Sequence, residues 1–169
     1  LDVGCGSTGF LTYLKQRRPD LALTGCDMSP AAVARAREAG FDAFVHDIGL
    51  TPLPGTYDYI TCFEVLEHIP HAEAAFRNLK TAFCKKLFVS IPNIGCLRCR
   101  TRLALFGKFP LTVCNLHVNE HVRHWTPRDF AYWMSREAMT IERMDGQYGL
   151  RGFYRWCPGL FAHGVVYTL

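Results

Sequence analysis

At 169 residues, 49% apolar and 20% charged, the chain has the composition of one folded domain with a sizeable core, not of a disordered segment. No apolar run is long enough to span a bilayer and no secretory leader is legible, so membrane insertion is not expected. The net charge of +4 permits an anionic small-molecule partner without calling for nucleic acid.

The chain opens on Leu1-Asp2-Val3-Gly4-Cys5-Gly6-Ser7-Thr8-Gly9, a β-type run that ends in G-x-G-x-x-G. Glycines there let backbone approach a ligand, and the helix that follows offers free N–H groups. Leu1 already lies inside this strand, so the sequence reads as truncated at its N-terminus. A helix is expected over 10–18, stopped by Pro19, then a strand over 21–27 that ends in Asp27. Ser29-Pro30 supplies a cap and first-turn proline for a helix over 31–39, closed by Gly40. Further strands are expected over 41–46, 57–63 and 87–91, with an amphipathic helix over 71–83 between the last two. Residues 94–125 break the rhythm and read as a lid-like insertion. Thr126-Pro127 opens a helix to about Glu137, and strands over 139–144 and 163–169 close the pattern. Strands alternating with helices in this way imply an α/β fold with a doubly wound, mostly parallel seven-stranded sheet. Residues 1–169 read as a single domain. Cys5, Cys26, Cys62 and Cys84 fall within or beside these elements, as reduced buried thiols of a cytoplasmic protein would.

Three carboxylates sharpen the glycine motif. Asp2, two residues before Gly4, would repel a pyrophosphate but welcome a ligand carrying an ammonium and a sulfonium. Asp27, at the tip of the second strand, suits a cis-diol, with a turn or cap role as the alternative. Asp47, after the third strand, can accept from an adenine amino group or hold an Asx turn before Gly49. With these residues L-D-V-G-C-G resembles the first motif of the class I S-adenosylmethionine (SAM)-dependent methyltransferases. Tyr57-Asp58 leading to Phe63-Glu64-Val65-Leu66-Glu67-His68 resembles their fourth. The resemblance runs through the whole chain. It implies a Rossmann-like methyltransferase fold and SAM as cofactor, held by Asp2, Gly4, Cys5, Gly6, Gly9, Asp27, Met28, Asp47, Ile48 and Phe63. A nicotinamide cofactor is disfavoured by Asp2 and Asp47 together.

The acceptor side is less specific. Glu64, Glu67 and His68 are spaced to share one helical face. Their E-x-x-E-H string resembles the metal site of small-RNA 2′-O-methyltransferases and of some ubiquinone-pathway O-methyltransferases, yet it better suits a polar face lining the cofactor mouth, with a local Glu67–His68 pair. Cys96-x2-Cys99 and Cys114-x2-His117 have zinc-ligand types, against incidental cysteines on a lid helix. No stoichiometric metal is expected from either group. His121-x-Arg123 in E-H-V-R-H-W-T-P-R-D-F resembles a segment of small-molecule methyltransferases. This offers His121 as a general base and Arg123 beside it, or a structural role for both. The basic helix within 94–125 reads first as a solvated face, with a clamp for a carboxylate or phosphate acceptor as the alternative.

Ser90-Ile91-Pro92-Asn93-Ile94-Gly95 and Gly107-Lys108-Phe109-Pro110 resemble the methionine-biosynthesis protein W (MetW)-like methyltransferases, in which the domain is linked to a partner homoserine acyltransferase. Two functions are therefore expected. One is SAM-dependent O- or N-methylation of an unassigned small molecule, and the other a non-catalytic SAM-binding subunit with an acyltransferase partner.

Overall fold

A computed structural model describes residues 1–109, 120–150 and 152–169. The chain packs as two compact units, Leu1–Phe63 with Glu73–Leu87, and Glu64–Ala72 with Phe88–Leu169. Its seven strands follow the order β3-β2-β1-β4-β5-β7-β6 in a mixed sheet. They are β1 (Asp2–Val3), β2 (Thr24–Asp27), β3 (Asp42–Val45), β4 (Tyr57–Phe63), β5 (Phe83–Pro92), β6 (Arg143–Gly149) and β7 (Ala162–Thr168). Helices α1 (Gly9–Arg17), α2 (Pro30–Glu38), α3 (Ala72–Lys80), α4 (Leu97–Phe106) and α5 (Pro127–Arg136) intervene, with two four-residue helices, α6 (Phe153–Trp156) and α7 (Pro158–Phe161). This is the expected Rossmann-like class. No described helix is long and apolar enough to cross a membrane.

In the first unit β1 runs parallel to β2 and β4, and β2 runs parallel to β3. Parallel pairing places the chain's turns after β1, β2, β3 and β4 at one edge, where ligands of such sheets bind. Beneath the glycine turn, Cys5, Leu11, Val33, Ala36, Phe41 and Ala43 form a buried cluster. Gly25 explains how close the turn sits to β2. A Cβ there would lie 3.0 Å from Cys5 Sγ and 3.1 Å from Leu11 Cδ1. Gly4 and Cys5 both donate their amides to the Cys26 carbonyl, at 2.8 and 3.1 Å.

In the second unit β7 pairs antiparallel with both the end of β5 and β6. Phe130 of α5 stacks on Tyr167 of β7 at 4.3 Å, and Trp125 stacks on Trp133 at 5.4 Å. Thr126 caps α5 in the expected way, exchanging hydrogen bonds with Asp129 in a capping box. Asn93, fully buried after β5, donates to the carbonyls of Gly159 and Ala162 at 3.2 and 2.9 Å and accepts from the Gly95 amide.

Three expectations need correction. Helix α3 stops at Lys80, where Thr81 returns its hydroxyl to the Asn78 carbonyl, so β5 starts at Phe83 and not at residue 87. Strand β6 lies at 143–149, because Ala138 takes a left-handed conformation and the Met139 amide folds back to Met134. Gly146 and Gly149 hid that strand. They are needed because the backbone of Tyr154 and of Phe161 passes where a Cβ would stand. The expected helical face for Glu64, Glu67 and His68 is only a 3₁₀ turn over Leu66–His68.

Gly25→Ala should therefore destabilise the chain by about 1–3 kcal/mol, the usual cost of overpacking. Denaturant unfolding of Gly25→Ala, Cys5→Ala and the double variant checks this. The double variant should recover part of the loss, because Cys5 supplies the nearest atoms.

Candidate active site

The glycine turn is built on left-handed backbone, with φ of 74° at Gly4, 47° at Gly6 and 65° at Thr8. Thr8 caps α1 without a side-chain bond, so the first-turn amides of a nine-residue helix keep their donors. Asp27 ties this turn to β2. One carboxylate oxygen accepts from the Gly6 amide at 3.0 Å and the other from the Ser29 amide at 2.9 Å. A carboxylate offers about four lone-pair sites, so roughly two remain for hydroxyls of a ligand. The expected cap role is thus met with acceptor capacity to spare.

Asp47 behaves likewise. Its Oδ1 accepts from the Gly49 amide at 2.9 Å, the Asx turn, and leaves the second oxygen for a donor. Ile48 is buried and its carbonyl receives the Asn78 amide nitrogen at 2.8 Å. Met28 is largely exposed beside Asp27, and Phe63 ends β4 with its ring edge-on to Phe10 at 5.0 Å. Gly9 begins α1, where a Cβ would meet nothing closer than Ser7 Oγ at 3.9 Å. Cys5 is buried under the turn. Asp2 is also buried, and its Oδ1 accepts from Thr61 Oγ1 at 2.7 Å. Burial lifts its pKa to about 6, partly opposed by the Thr61 bond. The donor set fits SAM: a buried carboxylate for a cation, a strand-tip carboxylate for a diol and an acceptor for an amine.

A second group of residues lies within the second unit. Glu64 follows β4 in a left-handed conformation, φ 54°, which costs a residue of this type about 1–3 kcal/mol. Ser90 holds it at both ends. The hydroxyl accepts from the Glu64 amide at 3.0 Å and donates to Oε1 at 2.7 Å. Glu67 is fully buried, with no amide or hydroxyl donor to either carboxyl oxygen, and its carboxyl interacts with that of Glu64. Burial first, then the neighbouring Glu64, raises its pKa well above the carboxylate range. Its backbone carbonyl is doubly satisfied, by the amides of Val122 and Arg123 at 2.8 and 3.1 Å.

His68 Nδ1 lies 2.6 Å from the Glu120 carbonyl, which makes Nδ1 the donor and turns the Nε2 lone pair toward Glu67 Oε1 at 4.0 Å. The His121 ring meets the His68 ring edge-on at 4.7 Å, and His121 Nδ1 is buried without a partner. Burial, with His68 nearby, lowers the His121 pKa and keeps the imidazole neutral. Among the described residues, Glu67, His68 and His121 bring ligand atoms within 4.8 Å of one another. Such a set could hold a divalent cation, with the His68–Glu120 bond acting as the outer support that metal-bound histidines usually have. Glu64, expected in this group, bonds Ser90 and interacts with the Glu67 carboxyl, but is not among the converging ligand atoms.

Arg123 donates Nε and Nη2 to the Pro70 carbonyl at 2.9 and 2.7 Å. It anchors the segment that carries His121. Cys96 and Cys99 are adjacent, but Cys114 and His117 lie outside the described residues, so the four-ligand zinc reading falls there too. Sequence reasoning missed Ser90 and Asn93. The only signal was the S-I-P-N string, in which neither residue has a period or partner to reveal it.

Residues 1–138 match the family described as methyltransferase domain. A ubiquinone biosynthesis O-methyltransferase of Aeromonas salmonicida (strain A449) is 36% identical over 156 residues, covering 86% of this chain and 64% of that protein. One from Xanthomonas euvesicatoria pv. vesicatoria is 29% identical over 162 residues, with the same coverage of 86% and 64%. The chain thus spans less than two thirds of the length of these relatives. Its fold superposes on magnesium protoporphyrin IX methyltransferase from Synechocystis PCC 6803 with bound S-adenosylhomocysteine at a TM-score of 0.70. That match has 19% identity and covers 99% of this chain and 71% of that one. A SAM-dependent methyltransferase from Mesorhizobium loti gives 0.67 at 17% identity, covering 99% and 88%. The strand order agrees with these matches, and with residues 1–138 matched the chain belongs to the class I SAM-dependent methyltransferase family.

Proposed function

We propose that this chain transfers a methyl group from SAM to an oxygen of a small-molecule acceptor, with the acceptor proton handled at Glu67, His68 and His121. The observation that carries this reading is the fully buried Glu67 carboxyl, set against Glu64 and beside two imidazoles. The O-methyltransferase names of the relatives support oxygen as the acceptor atom. Bound SAM supplies an activated methyl group, and the chain's own residues do the rest. Asp2 faces the cofactor's cationic end, Asp27 takes the ribose hydroxyls, and Asp47 accepts from the adenine. Gly4, Gly6 and Gly9 let the backbone approach, while Cys5, Met28, Ile48 and Phe63 border the cofactor.

A neutral hydroxyl must lose its proton as the methyl group arrives. His121, neutral and with Nδ1 unpartnered, is placed to take it. Arg123 is a positioning residue that holds this segment on Pro70. Residues 94–125 select the acceptor, and the arginines of α4 favour an anionic one. A divalent cation on Glu67, His68 and His121 is the second reading, favoured by the His68–Glu120 support; it would supply Lewis-acid activation of the hydroxyl. A non-catalytic MetW-type partner would use the same cofactor residues but has no use for the Glu67 cluster.

Asp27→Ala should weaken SAM binding by about 1.5–3 kcal/mol, the scale of hydrogen bonds to a charged group. Calorimetry with SAM checks it, and an unchanged affinity removes Asp27 from the site.

Asp2 sets a pH dependence. Its folded, ligand-free pKa is raised to about 6, and a cation binds only its carboxylate form. SAM affinity should therefore hold above pH 6 and fall below it, by up to about tenfold per pH unit. Thr61→Val removes the bond that restrains the shift and should move the break upward; Asp2→Asn should flatten the curve.

Glu67→Gln separates function from structure. Methyl transfer should drop by about 10²–10⁴-fold. The thermal midpoint should stay level or rise, increasingly so as pH rises. A folded-state pKa above the unfolded one stabilises at low pH, and that contribution is lost as the carboxyl ionises. Turnover that survives chelation supports His121 as a metal-free base; loss on chelation and recovery with a divalent cation supports the second reading.

A further inference from the structure

The cysteine pair at the start of α4 takes no part in the function proposed above. Cys96 caps the helix and Cys99 sits one turn on, so both side chains lie on one face. The Cys96 thiol donates to Cys99 Sγ at 3.2 Å, and both residues are buried. Two sulfurs on a C-x-x-C turn at this separation need little more than an ångström of closure to reach bonding distance. Cys96 also lines a cavity of about 480 Å³ with Leu97, Arg98, Leu150, Phe161 and His163, so the buried pair lies at the wall of an open space. Arg98 is a cation on that same wall. The hydrogen bond to Cys99 and burial hold Cys96 as a thiol at rest.

We infer that Cys96 and Cys99 form a reversible dithiol–disulfide couple, closed by a two-electron oxidant of the peroxide class. Cys96 sulfur attacks a peroxide oxygen and the O–O bond breaks; the departing hydroxide takes the thiol proton, leaving water and a sulfenic acid. Cys99 sulfur then attacks Cys96 sulfur and expels the hydroxyl, which leaves as a second water with the Cys99 proton. Two thiols are oxidised, one peroxide is reduced, and the S–S bond replaces two S–H bonds. Proximity makes the second step fast, because the resolving sulfur is already in place. The cross-link fixes the first turn of α4 and thereby one wall of the cavity. This inference is independent of the methyl-transfer reading.

The test is a thiol map of the wild-type chain after brief treatment with hydrogen peroxide. Remaining thiols are blocked with N-ethylmaleimide and the chain is cut with trypsin. The expected product is peptide 87–98 joined to the dipeptide Cys99-Arg100, two hydrogens lighter than the separate peptides. Dithiothreitol should release both, and the other cysteines should be alkylated in full. Cys99→Ser should convert Cys96 to sulfenic and higher acids with no cross-link. Complete alkylation of both sulfurs after peroxide, or a cross-link from Cys96 to any other cysteine, overturns the couple.

Discussion

The bonds made by the Asp27 carboxylate are the constraint on which the first unit's binding edge depends. One oxygen holds the amide of Gly6, after β1, and the other holds the amide of Ser29, before α2. Two turns that would otherwise be independent are thereby fixed to the tip of β2. Glycine turns lose much backbone entropy on ordering, so they need such an anchor. The same side chain keeps lone pairs for a ligand, which is why a cap role and a binding role need not compete. Gly25 permits the arrangement from below by letting Cys5 and Leu11 pack against the β2 backbone.

The second unit makes an opposite choice at Glu67. Its backbone carbonyl receives two amides while its side chain, equally buried, receives none. A buried carboxyl set against a second one is costly to ionise, which is why its pKa is raised; a proton shared with Glu64, or a cation, relieves that cost.

The fold was legible because its signals are local and repeated. The glycine run, Ser29-Pro30 and Thr126-Pro127 each name a turn or cap by mechanism, and each lies where the sequence places it. The places of Asp27 and Asp47 were legible for the same reason, since one ends a strand and the other follows one. Strand β6 was misplaced because its glycines answer to the backbone of α6 and α7, contacts that no periodicity encodes. The spacing of Glu64, Glu67 and His68 suggested a helical face, but Glu64 turns left-handed and meets Glu67 without one. His121 joins it from more than fifty residues away, and the family motif brought that residue into view without revealing its neighbours. Family membership was legible and is now shown; the MetW-like subgroup rested on loop strings that none of the reported relatives addresses.

Ser90 explains how one short string yields two different carboxyls. Its single hydroxyl accepts from the Glu64 amide and donates to the Glu64 side chain, which stabilises a backbone conformation that glutamate seldom adopts. With φ positive at residue 64, the chain enters the 3₁₀ turn at Leu66 along a path that a continuous helix would not follow. Glu67 therefore points into the interior beside His68 and His121, with its carboxyl against that of Glu64. The strain at Glu64 and the burial of Glu67 are two halves of one arrangement. The first sets the direction of the chain, and the second is the carboxyl that this direction brings up against its neighbour.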